Sequence, residues 1–296
     1  MSSEISVAVC ADKNIEVGLH VTLFSLLQST RTPVKIYFLQ KGYHSQDIEA
    51  LHKTLDQFAG LYKLIVIDFD DSVFSNYKGL YGSKFTFTRI MLAKIIHDER
   101  IIYLDSDLVI TRDLSELFQV NLNGYIIGAS GVGNIEYSLE SDFFISIGLD
   151  KEAKYFNAGV LVIDLDKWRR LNITEKCIEF ADKNARILRD ADQAVLNYVF
   201  YKNNFVELDK SYNHALYPYS TPIDPNKSDS IFHFIGAPKP WDFGGEFVHR
   251  NYQFFRSFLH KTSFSNYRTY SNLSFHKVKR TLRLSRSYYR CLTMRG

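Results

Sequence analysis

The chain has 296 residues, 46% of them apolar and 23% charged, which is ordinary for a globular protein and long enough for a large buried core. Its three cysteines, Cys10, Cys177 and Cys291, are far apart and in no CxxC pair, which argues against a disulfide framework or a cysteine zinc site and favours a reducing cytoplasm. The first residues lack the basic region of a signal peptide, and no stretch approaches the roughly 18–20 uncharged apolar residues of a membrane span.

Charge is distributed unevenly along the chain. The net charge is +3, but residues 247–296 contain eleven Lys or Arg residues and no Asp or Glu. The first 246 residues carry 25 basic and 33 acidic side chains, a net charge of about −8. This distribution predicts two different surfaces, an acidic body and a basic, aromatic tail.

In the first part of the chain, short apolar runs alternate with segments in which apolar residues recur at helical spacing. We predict strands at 5–11, 33–40, 62–69 and 100–107, and helices at 15–30, 44–59 and 87–97. Ser45 and Asp47 suit the start of the second helix. This alternation predicts an α/β fold with a mostly parallel sheet that is covered by helices on both faces.

The rest of the body contains fewer clear elements. We predict strands at 124–130 and 158–165 and a helix at 190–203, followed by a loop at 211–230 that is rich in turn-forming residues. In the tail, Val278, Leu282, Ser285 and Tyr289 can share one face of a helix, although the basic residues do not segregate to the opposite face.

Two segments follow predicted strands at the edge where parallel sheets bind ligands, namely 10–14 and the acids Asp105 and Asp107. In an extended backbone the two acids point to the same face and Ser106 points away. Because close carboxylates repel each other, a cation or a hydrogen-bond donor is expected to compensate them. Their hard oxygen atoms suit Mn²⁺ or Mg²⁺, which can in turn hold a diphosphate.

The D-x-D sequence is also compatible with other structures and functions. The acids could cap a turn or be solvated, but apolar runs flank them on both sides. An EF-hand loop would need glycine where the chain has Ile110, so we exclude it. A haloacid-dehalogenase-like phosphatase fits the local sequence "YLDSDLV", but that motif usually follows the first strand of the domain, and we find no matching acidic pair downstream.

A second polar group occurs in the segment "FHFIGAPKPWDF" (232–243). His233 could be a third metal ligand or a hydrogen-bonded core histidine. Gly236 could allow a backbone N–H to approach a phosphate, and Lys239 could pair with it as a point charge.

Taken together, the segments "VAVCADKN", "FTRIMLAKI", "RIIYLDSDLVITRDLSELF", "YFNAGVLVIDLDKWRR", "DQAVLN" and "HFIGAPKPW" resemble the family 8 glycosyltransferases, and they occur in that family's order over about residues 5–243. These are retaining, nucleotide-sugar-dependent enzymes that include bacterial lipopolysaccharide galactosyl- and glucosyltransferases and glycogenin. The resemblance implies the GT-A fold, a Rossmann-like nucleotide-binding half merged with an acceptor-binding half. It displaces the phosphatase hypothesis.

The resemblance also implies roles for individual residues. The metal ligands would be Asp105, Asp107 and His233, holding Mn²⁺ or Mg²⁺. The contacts to the UDP-sugar would include Ala11, Asp12 and Asn14 at the uridine, Arg89 near the diphosphate or sugar, Ser106 between the acids, Asn157 and Ala158 at the sugar, and Gly236 and Lys239 at the diphosphate. Asp192 would bind a sugar hydroxyl, and Gln193 would lie on the sugar face opposite the leaving group; we assign these two as catalytic.

The chain departs from the family pattern at two positions. Ala194 replaces the last acid of the frequent D-Q-D sequence, and Ile15 replaces an aromatic residue that often stacks on uracil. Since Gln193 is a poor nucleophile, we favour attack of the acceptor hydroxyl from the same face as the departing UDP over a covalent intermediate. Mn²⁺ and Lys239 would neutralise charge on the leaving UDP.

We therefore predict a UDP-hexose-dependent retaining glycosyltransferase that transfers glucose or galactose from UDP-glucose or UDP-galactose to a saccharide or glycolipid acceptor in cell-surface glycan synthesis, such as lipopolysaccharide. The alternatives are a UDP-sugar-binding protein with weak catalysis and, less favoured, the phosphatase. The predicted catalytic domain covers 1–262. The predicted tail, 263–296, binds an anionic membrane surface rather than nucleic acid. This places the protein in the cytoplasm at the inner face of the plasma membrane.

Overall fold

A computed structural model of the chain describes residues 4–80, 83–202, 204–224, 229–270 and 275–294. Within these residues, the chain forms a large mixed sheet and a small one. The strands are β1 (Ile5–Asp12), β2 (Val34–Lys41), β3 (Tyr62–Asp68), β4 (Arg100–Leu104), β5 (Leu108–Ile110), β6 (Ile127–Asn134), β7 (Lys154–Asp164), β8 (Val206–Glu207), β9 (His214–Ala215) and β10 (Ile231–His233).

The α-helices pack around these sheets. They are α1 (Glu16–Ser29), α2 (Ser45–Leu55), α3 (Leu92–Ile95), α4 (Ser115–Gln119), α5 (Ser141–Ser146), α6 (Leu165–Arg170), α7 (Ile173–Asn184), α8 (Ala191–Val199), α9 (Gly245–Val248), α10 (Tyr252–Leu259), α11 (Phe275–Arg283) and α12 (Ser285–Thr293). Helix α2 begins at Ser45, one residue after the predicted start at 44; His44 is its N-cap, and Asp47 accepts a hydrogen bond from the His44 N–H at 2.8 Å.

The large sheet has the strand order β3-β2-β1-β4-β7-β6-β8. Strands β3, β2, β1 and β4 run parallel to one another, as predicted from the alternation of strands and helices. Strand β7 is antiparallel to both β4 and β6, whereas β8 pairs in parallel with β6. The carboxyl ends of β1 and β4 therefore lie side by side, next to the antiparallel β7.

Two predicted elements differ from those observed. The predicted strand 100–107 ends at Leu104, because the chain then leaves the large sheet and Leu108–Ile110 pairs with β10. The predicted helix 87–97 is a 3-10 helix, Phe85–Met91, followed by the single turn of α3. The segment "FTFT" is built from aromatic and β-branched residues, which are weak α-helix formers.

Alternate side chains of the central strands enter two apolar cores on opposite faces of the large sheet. On β1, Val7 and Val9 belong to the core under α1 and α2, while Ala8 belongs to the core under α6, α7 and α8. Helix α1 is buried nearly all round, since its other side packs against α10 through residues such as Phe24 and Phe255. Phe24 and Phe255 belong to a third apolar cluster, which packs against the segment that follows β10.

The C-terminal segment packs against the body. Phe264 and Tyr267 contact the third apolar cluster, and the Tyr267 hydroxyl donates to the Trp241 carbonyl at 2.7 Å. Helix α12 is tied to the same region because the Tyr288 hydroxyl donates to the Phe243 carbonyl at 2.6 Å. None of the helices in the described residues is long and apolar enough to span a membrane. The domain boundary at residue 262 stays a prediction.

Candidate active site

The two acids lie in the short connection between β4 and β5, and backbone hydrogen bonds fix this connection on both sides. The Asp105 N–H donates to the Gly159 carbonyl at 2.8 Å, and the Phe234 N–H donates to the Asp107 carbonyl at 3.0 Å. The Ser106 hydroxyl points the other way and donates to the Cys10 carbonyl at 3.2 Å. The acids are therefore presented together, as predicted, although the backbone between them is not a strand.

Histidine 233 completes a three-residue group with the acids. Pairing of β10 with β5 places His233 opposite Leu108, and its Nε2 lies 3.1 Å from Asp107 Oδ1 and 3.6 Å from Asp105 Oδ2. One potential ligand atom from each of these residues lies within 4.8 Å of the other two. Gly159 makes this approach possible, because a Cβ there would be only 2.3 Å from His233 Cε1.

A chain of side-chain amides determines which nitrogen of His233 carries hydrogen. The Gly159 N–H donates to Asn157 Oδ1 at 2.9 Å, so this oxygen also accepts from Asn213 Nδ2 at 2.8 Å. Asn213 Oδ1 then faces His233 Nδ1 at 2.9 Å, and Nδ1 must be the donor. In the neutral imidazole, Nε2 consequently presents its lone pair to Asp105 and Asp107.

These residues fit a divalent cation. Asp107 Oδ1 is buried without a hydrogen-bond donor and faces the lone pair of His233 Nε2, so a cation bound between them would satisfy both atoms. Two carboxylates and one imidazole are suitable ligands for Mn²⁺, and the oxygen atoms also suit Mg²⁺. The Nδ1–H bond to Asn213 provides the outer hydrogen bond that ligating histidines usually make.

Lysine 239 is the cation that faces Asp107. Its Nζ lies 2.6 Å from Asp107 Oδ2 and also donates to the Phe234 carbonyl. Burial alone would raise the pKa of Asp107, but the positive charge of Lys239 outweighs it and holds that pKa well below its usual range. Asp107 is thus kept ionised and ready to bind a cation.

Arginine 89 links Asp105 to the start of α8. Its NH2 lies 3.0 Å from Asp105 Oδ1 and its Nε 2.6 Å from Asp192 Oδ2, and its guanidinium lies over the ring of Tyr103. Burial raises the pKa of Asp192 to about 6 even though Arg89 opposes this. Arg89 shares its charge between two carboxylates, so it compensates the burial of Asp192 only in part.

Gln193 follows Asp192 on α8 and is held against β7. Its Oε1 accepts from the Ala158 N–H and from Asn157 Nδ2, each at 3.0 Å. Asn197, one turn later, bonds both backbone groups of Phe156. These bonds join Gln193, through Asn157, to the amide chain that ends at His233.

A cavity of about 270 Å³ opens beside the acids at the carboxyl ends of β1 and β4. It is lined by Cys10, Ala11, Asp12, Asn14, Ile15, Leu80, Ser83, Phe85, Thr86, Arg89, Tyr103, Asp105, Ser106, Asp107, Lys239, Trp241, Arg280 and Arg283. Asp12 is oriented there by the Asn14 N–H at 2.9 Å and the Ser83 hydroxyl at 2.6 Å. The cavity joins an acidic end to basic side chains, an arrangement that can hold a metal-bound diphosphate.

The model of glycosyl transferase family 8 matches residues 6–244 of this sequence. The chain belongs to this family.

Among the relatives, the glycosyltransferase GlyF of Streptococcus pneumoniae is 27% identical over 80% of this chain and 57% of its own length. The lipopolysaccharide 1,2-glucosyltransferase of Escherichia coli is 26% identical over 80% of this chain and 72% of its own length. A solved structure of the galactosyltransferase LgtC, with donor and acceptor sugar analogs, aligns over 93% of this chain and all of its own with a TM-score of 0.72 at 21% identity. The GT-A fold predicted from the sequence is thus confirmed.

In this family 8 glycosyltransferase, the predicted site residues lie in two groups. The first lines the cavity: Ala11, Asp12, Asn14, Arg89, Asp105, Ser106, Asp107 and Lys239. The second lies behind the acids, on β7, α8 and β10: Asn157, Ala158, Asp192, Gln193 and His233. Ala158 uses both backbone groups within the protein, donating to Gln193 and accepting from Arg89. Gly236 adopts a positive φ of 79° in the loop between His233 and Lys239.

Several residues at the site were missed by sequence reasoning. Asn213 lies in the segment predicted as a loop, where no pattern distinguished it. Ser83 is not part of a recognisable sequence motif. Arg280 and Arg283 belong to the tail, which we predicted as a separate membrane-binding segment.

Proposed function

We propose that this glycosyltransferase transfers a hexose from a UDP-sugar with retention of anomeric configuration and needs a divalent cation bound by Asp105, Asp107 and His233. The observation that carries the proposal is the convergence of these three side chains beside a cavity at the carboxyl ends of β1 and β4. A bound Mn²⁺ would act there as a Lewis acid toward the diphosphate. Asp12, fixed by Ser83, would hold the uridine end.

The protein's own residues would carry out the remaining steps. Lys239, which pairs with Asp107, would pair with the diphosphate once the acids hold a cation, and would stabilise charge on the leaving UDP. Gln193 is held by the Ala158 N–H and Asn157, so it would line the sugar face as a fixed amide rather than attack it. The acceptor hydroxyl would attack from the side of the departing UDP.

The donors we propose are UDP-glucose and UDP-galactose, and the acceptor is a saccharide or glycolipid of a cell-surface glycan. The name of the E. coli relative, a lipopolysaccharide glucosyltransferase, supports lipopolysaccharide as one such glycan. The test is release of UDP from each UDP-sugar with Mn²⁺ and after chelation by EDTA, followed by NMR of the product anomer. Metal-independent turnover, or an inverted product, would overturn the proposal.

The alternative of a UDP-sugar-binding protein with weak catalysis rested on Ala194. The side chain of Ala194 is fully buried in the apolar core that packs on α8, so a carboxylate at this position would enter the core rather than the cavity. Ala194 therefore gives no support for lost catalysis. Turnover in the same UDP-release assay distinguishes the two functions.

We also propose that the tail binds an anionic membrane at the inner face of the plasma membrane. Val278, Leu282 and Tyr289 are exposed on α11 and α12 beside the basic residues Lys279 and Arg290. The test is flotation with vesicles that contain anionic phospholipid, comparing the wild type with the double variant Leu282→Glu, Tyr289→Glu. Equal flotation of the two proteins, or no flotation of the wild type, would contradict the membrane role.

A further inference from the structure

Helix α8 begins with a residue in a left-handed conformation. Ala191, its first residue, has a φ of 49°, and its side chain is only 1% exposed. This conformation costs free energy in any residue that carries a Cβ atom, so contacts around it must stabilise it. Asp192 and Gln193, the two residues that we predicted at the sugar, follow directly on the same helix. The turn at Ala191 therefore determines where both side chains point.

A buried glutamate holds this turn from outside the helix. Glu140 precedes α5 and is 2% exposed, and its Oε1 accepts hydrogen bonds from the backbone N–H groups of both Arg189 and Asp190, the second at 2.6 Å. Successive N–H groups of a turn form a concave site for an anion, and here the anion is a side chain of the protein itself. Burial raises the pKa of the Glu140 carboxyl, although the two N–H groups oppose this. The buried carboxylate is thus engaged with the backbone just before Ala191.

Asp190 connects this turn to Gln193. The carbonyl of Asp190 accepts from the Gln193 N–H at 3.1 Å, and Asp190 Oδ2 accepts from the Tyr155 hydroxyl of β7 at 2.7 Å. Gln193 Nε2 lies 3.5 Å from both the Tyr155 hydroxyl and Asp190 Oδ2. Since Gln193 Oε1 accepts from the Ala158 N–H and Asn157 Nδ2, both ends of the Gln193 amide have partners and its orientation is fixed.

We propose that Glu140 is a positioning residue for hexose transfer, which fixes the turn at Ala191 and thereby holds Gln193 against the sugar face. This inference rests on the proposed function, in which Gln193 lines that face. Glu140 is not among the residues that line the donor cavity, so it acts through the backbone of α8. Such a role requires the reach of an acceptor oxygen rather than a negative charge. The metal ligands lie on β10 and on the connection between β4 and β5, so we expect UDP binding to persist without Glu140.

Two substitutions separate reach from charge. Glu140→Asp keeps the charge but is one methylene shorter, so its carboxylate no longer reaches both N–H groups. Glu140→Gln loses the charge but keeps an acceptor oxygen at the same reach. The assay is UDP release with Mn²⁺ from whichever of UDP-glucose and UDP-galactose the wild type hydrolyses faster. We expect kcat to fall at least about tenfold in Glu140→Asp and at most about threefold in Glu140→Gln, with UDP affinity by calorimetry within about twofold of the wild type in both.

A substitution of Ala191 tests the turn itself. Glycine adopts a positive φ without strain, so Ala191→Gly is expected to stabilise the turn when residue 140 no longer reaches it. We expect Ala191→Gly alone to keep kcat within about twofold of the wild type, and the double variant Glu140→Asp, Ala191→Gly to regain at least about threefold over Glu140→Asp. The control is Glu152→Asp, the same shortening at an exposed residue between α5 and β7, which is expected to match the wild type.

Four results would overturn the inference. Wild-type kcat in Glu140→Asp would show that Glu140 has no influence on transfer, and an equal loss in Glu140→Gln would indicate a role of its negative charge. No recovery on adding Ala191→Gly would separate the loss from the turn. A fall in UDP affinity as large as the fall in kcat would indicate general disruption of the site.

Glu140→Gln decides the inference by itself if Glu140→Asp does not fold, since a tenfold loss of kcat in Glu140→Gln still contradicts it and retained turnover supports it. The proposed function fails separately from this inference. A wild type that releases no UDP from either sugar nucleotide in the presence of Mn²⁺ would refute the proposed function, and this inference with it. Turnover by the wild type that Glu140→Asp leaves unchanged would refute this inference alone.

Discussion

Asn213 Oδ1 lies 2.9 Å from His233 Nδ1, and the amide orientation of Asn213 is determined by Asn157, which the Gly159 N–H holds in turn. The backbone N–H of Gly159, on β7, thereby determines through two amides which nitrogen of His233 carries the hydrogen. Because Asn157 also donates to Gln193, the same amides join the metal side of the site to the predicted sugar side. A change in Asn213 is therefore expected to reach the metal ligands without removing any of them.

The first prediction concerns Asn213→Leu. Loss of the acceptor at Nδ1 lets His233 place its hydrogen on Nε2, and a protonated Nε2 cannot bind a cation. We therefore expect Mn²⁺ affinity to fall by about 10–100-fold. Electron paramagnetic resonance of free Mn²⁺ measures this affinity independently of turnover. Asn213→Asp keeps an acceptor at Nδ1 but loses the donor to Asn157, so we expect it to lose less affinity than Asn213→Leu. Equal losses in the two variants would contradict a role in selecting the tautomer.

The second prediction concerns Gly159→Ala. The added methyl group would lie 2.3 Å from His233 Cε1 and 2.9 Å from Asn157 Oδ1, so His233 must move away from the acids. We expect at least a tenfold loss of Mn²⁺ affinity, together with a destabilisation of about 1–3 kcal/mol.

The matched control for this variant is Gly128→Ala on neighbouring β6, where the methyl group would meet Leu122 and Leu208 at 3.2 Å, away from the site. Its Mn²⁺ affinity should equal that of the wild type. Wild-type Mn²⁺ binding by Gly159→Ala would show that His233 has more room than the structure gives it.

The sequence predicted the large elements of the fold because their apolar patterns are long. Strands 5–11 and 33–40 and helix 15–30 agree with β1, β2 and α1 to within one or two residues at each end. The small sheet was not predicted, since β5, β9 and β10 have two or three residues each and depend on pairing between distant segments. That pairing determines where His233 lies.

Contacts between distant segments also limited how much of the site could be predicted. Asp105 and Asp107 could be predicted because two acids between apolar runs are unusual. The other predicted site residues followed from the resemblance to the family. Asn213 acts through one hydrogen bond to a residue 20 positions away, and no local pattern records such a bond. Arg280 lines the cavity from α11 and pairs with Asp242, a contact across 38 positions that no local pattern records either.

The third prediction concerns Asp107→Asn. The amide removes the negative charge that faces His233 and Lys239, so the remaining ligands hold a divalent cation weakly. We expect Mn²⁺-dependent UDP affinity to fall at least about 100-fold, which calorimetry can measure. Glu116→Gln, on an exposed side chain of α4, is the control and should bind UDP normally. Full transfer activity in Asp107→Asn with unchanged UDP affinity would refute the metal assignment.

The last prediction is a pH dependence of stability that originates in Asp192. Burial raises the pKa of its carboxyl to about 6 in the folded protein, above the usual value of about 4 in an unfolded chain. Below pH 4 both states bind the proton, and above pH 6 both have lost it. Between these values only the unfolded state is ionised, so rising pH favours unfolding.

The expected size is on the order of 3 kcal/mol, two pKa units at about 1.4 kcal/mol each. Urea unfolding from pH 4 to 7 should therefore show the wild type losing this much stability relative to Asp192→Asn, which has no carboxyl to titrate. The loss should level off above pH 6. Asp142→Asn, on an exposed residue of α5, should run parallel to the wild type. A constant difference between the wild type and Asp192→Asn across this range would show that Arg89 fully compensates the burial of Asp192.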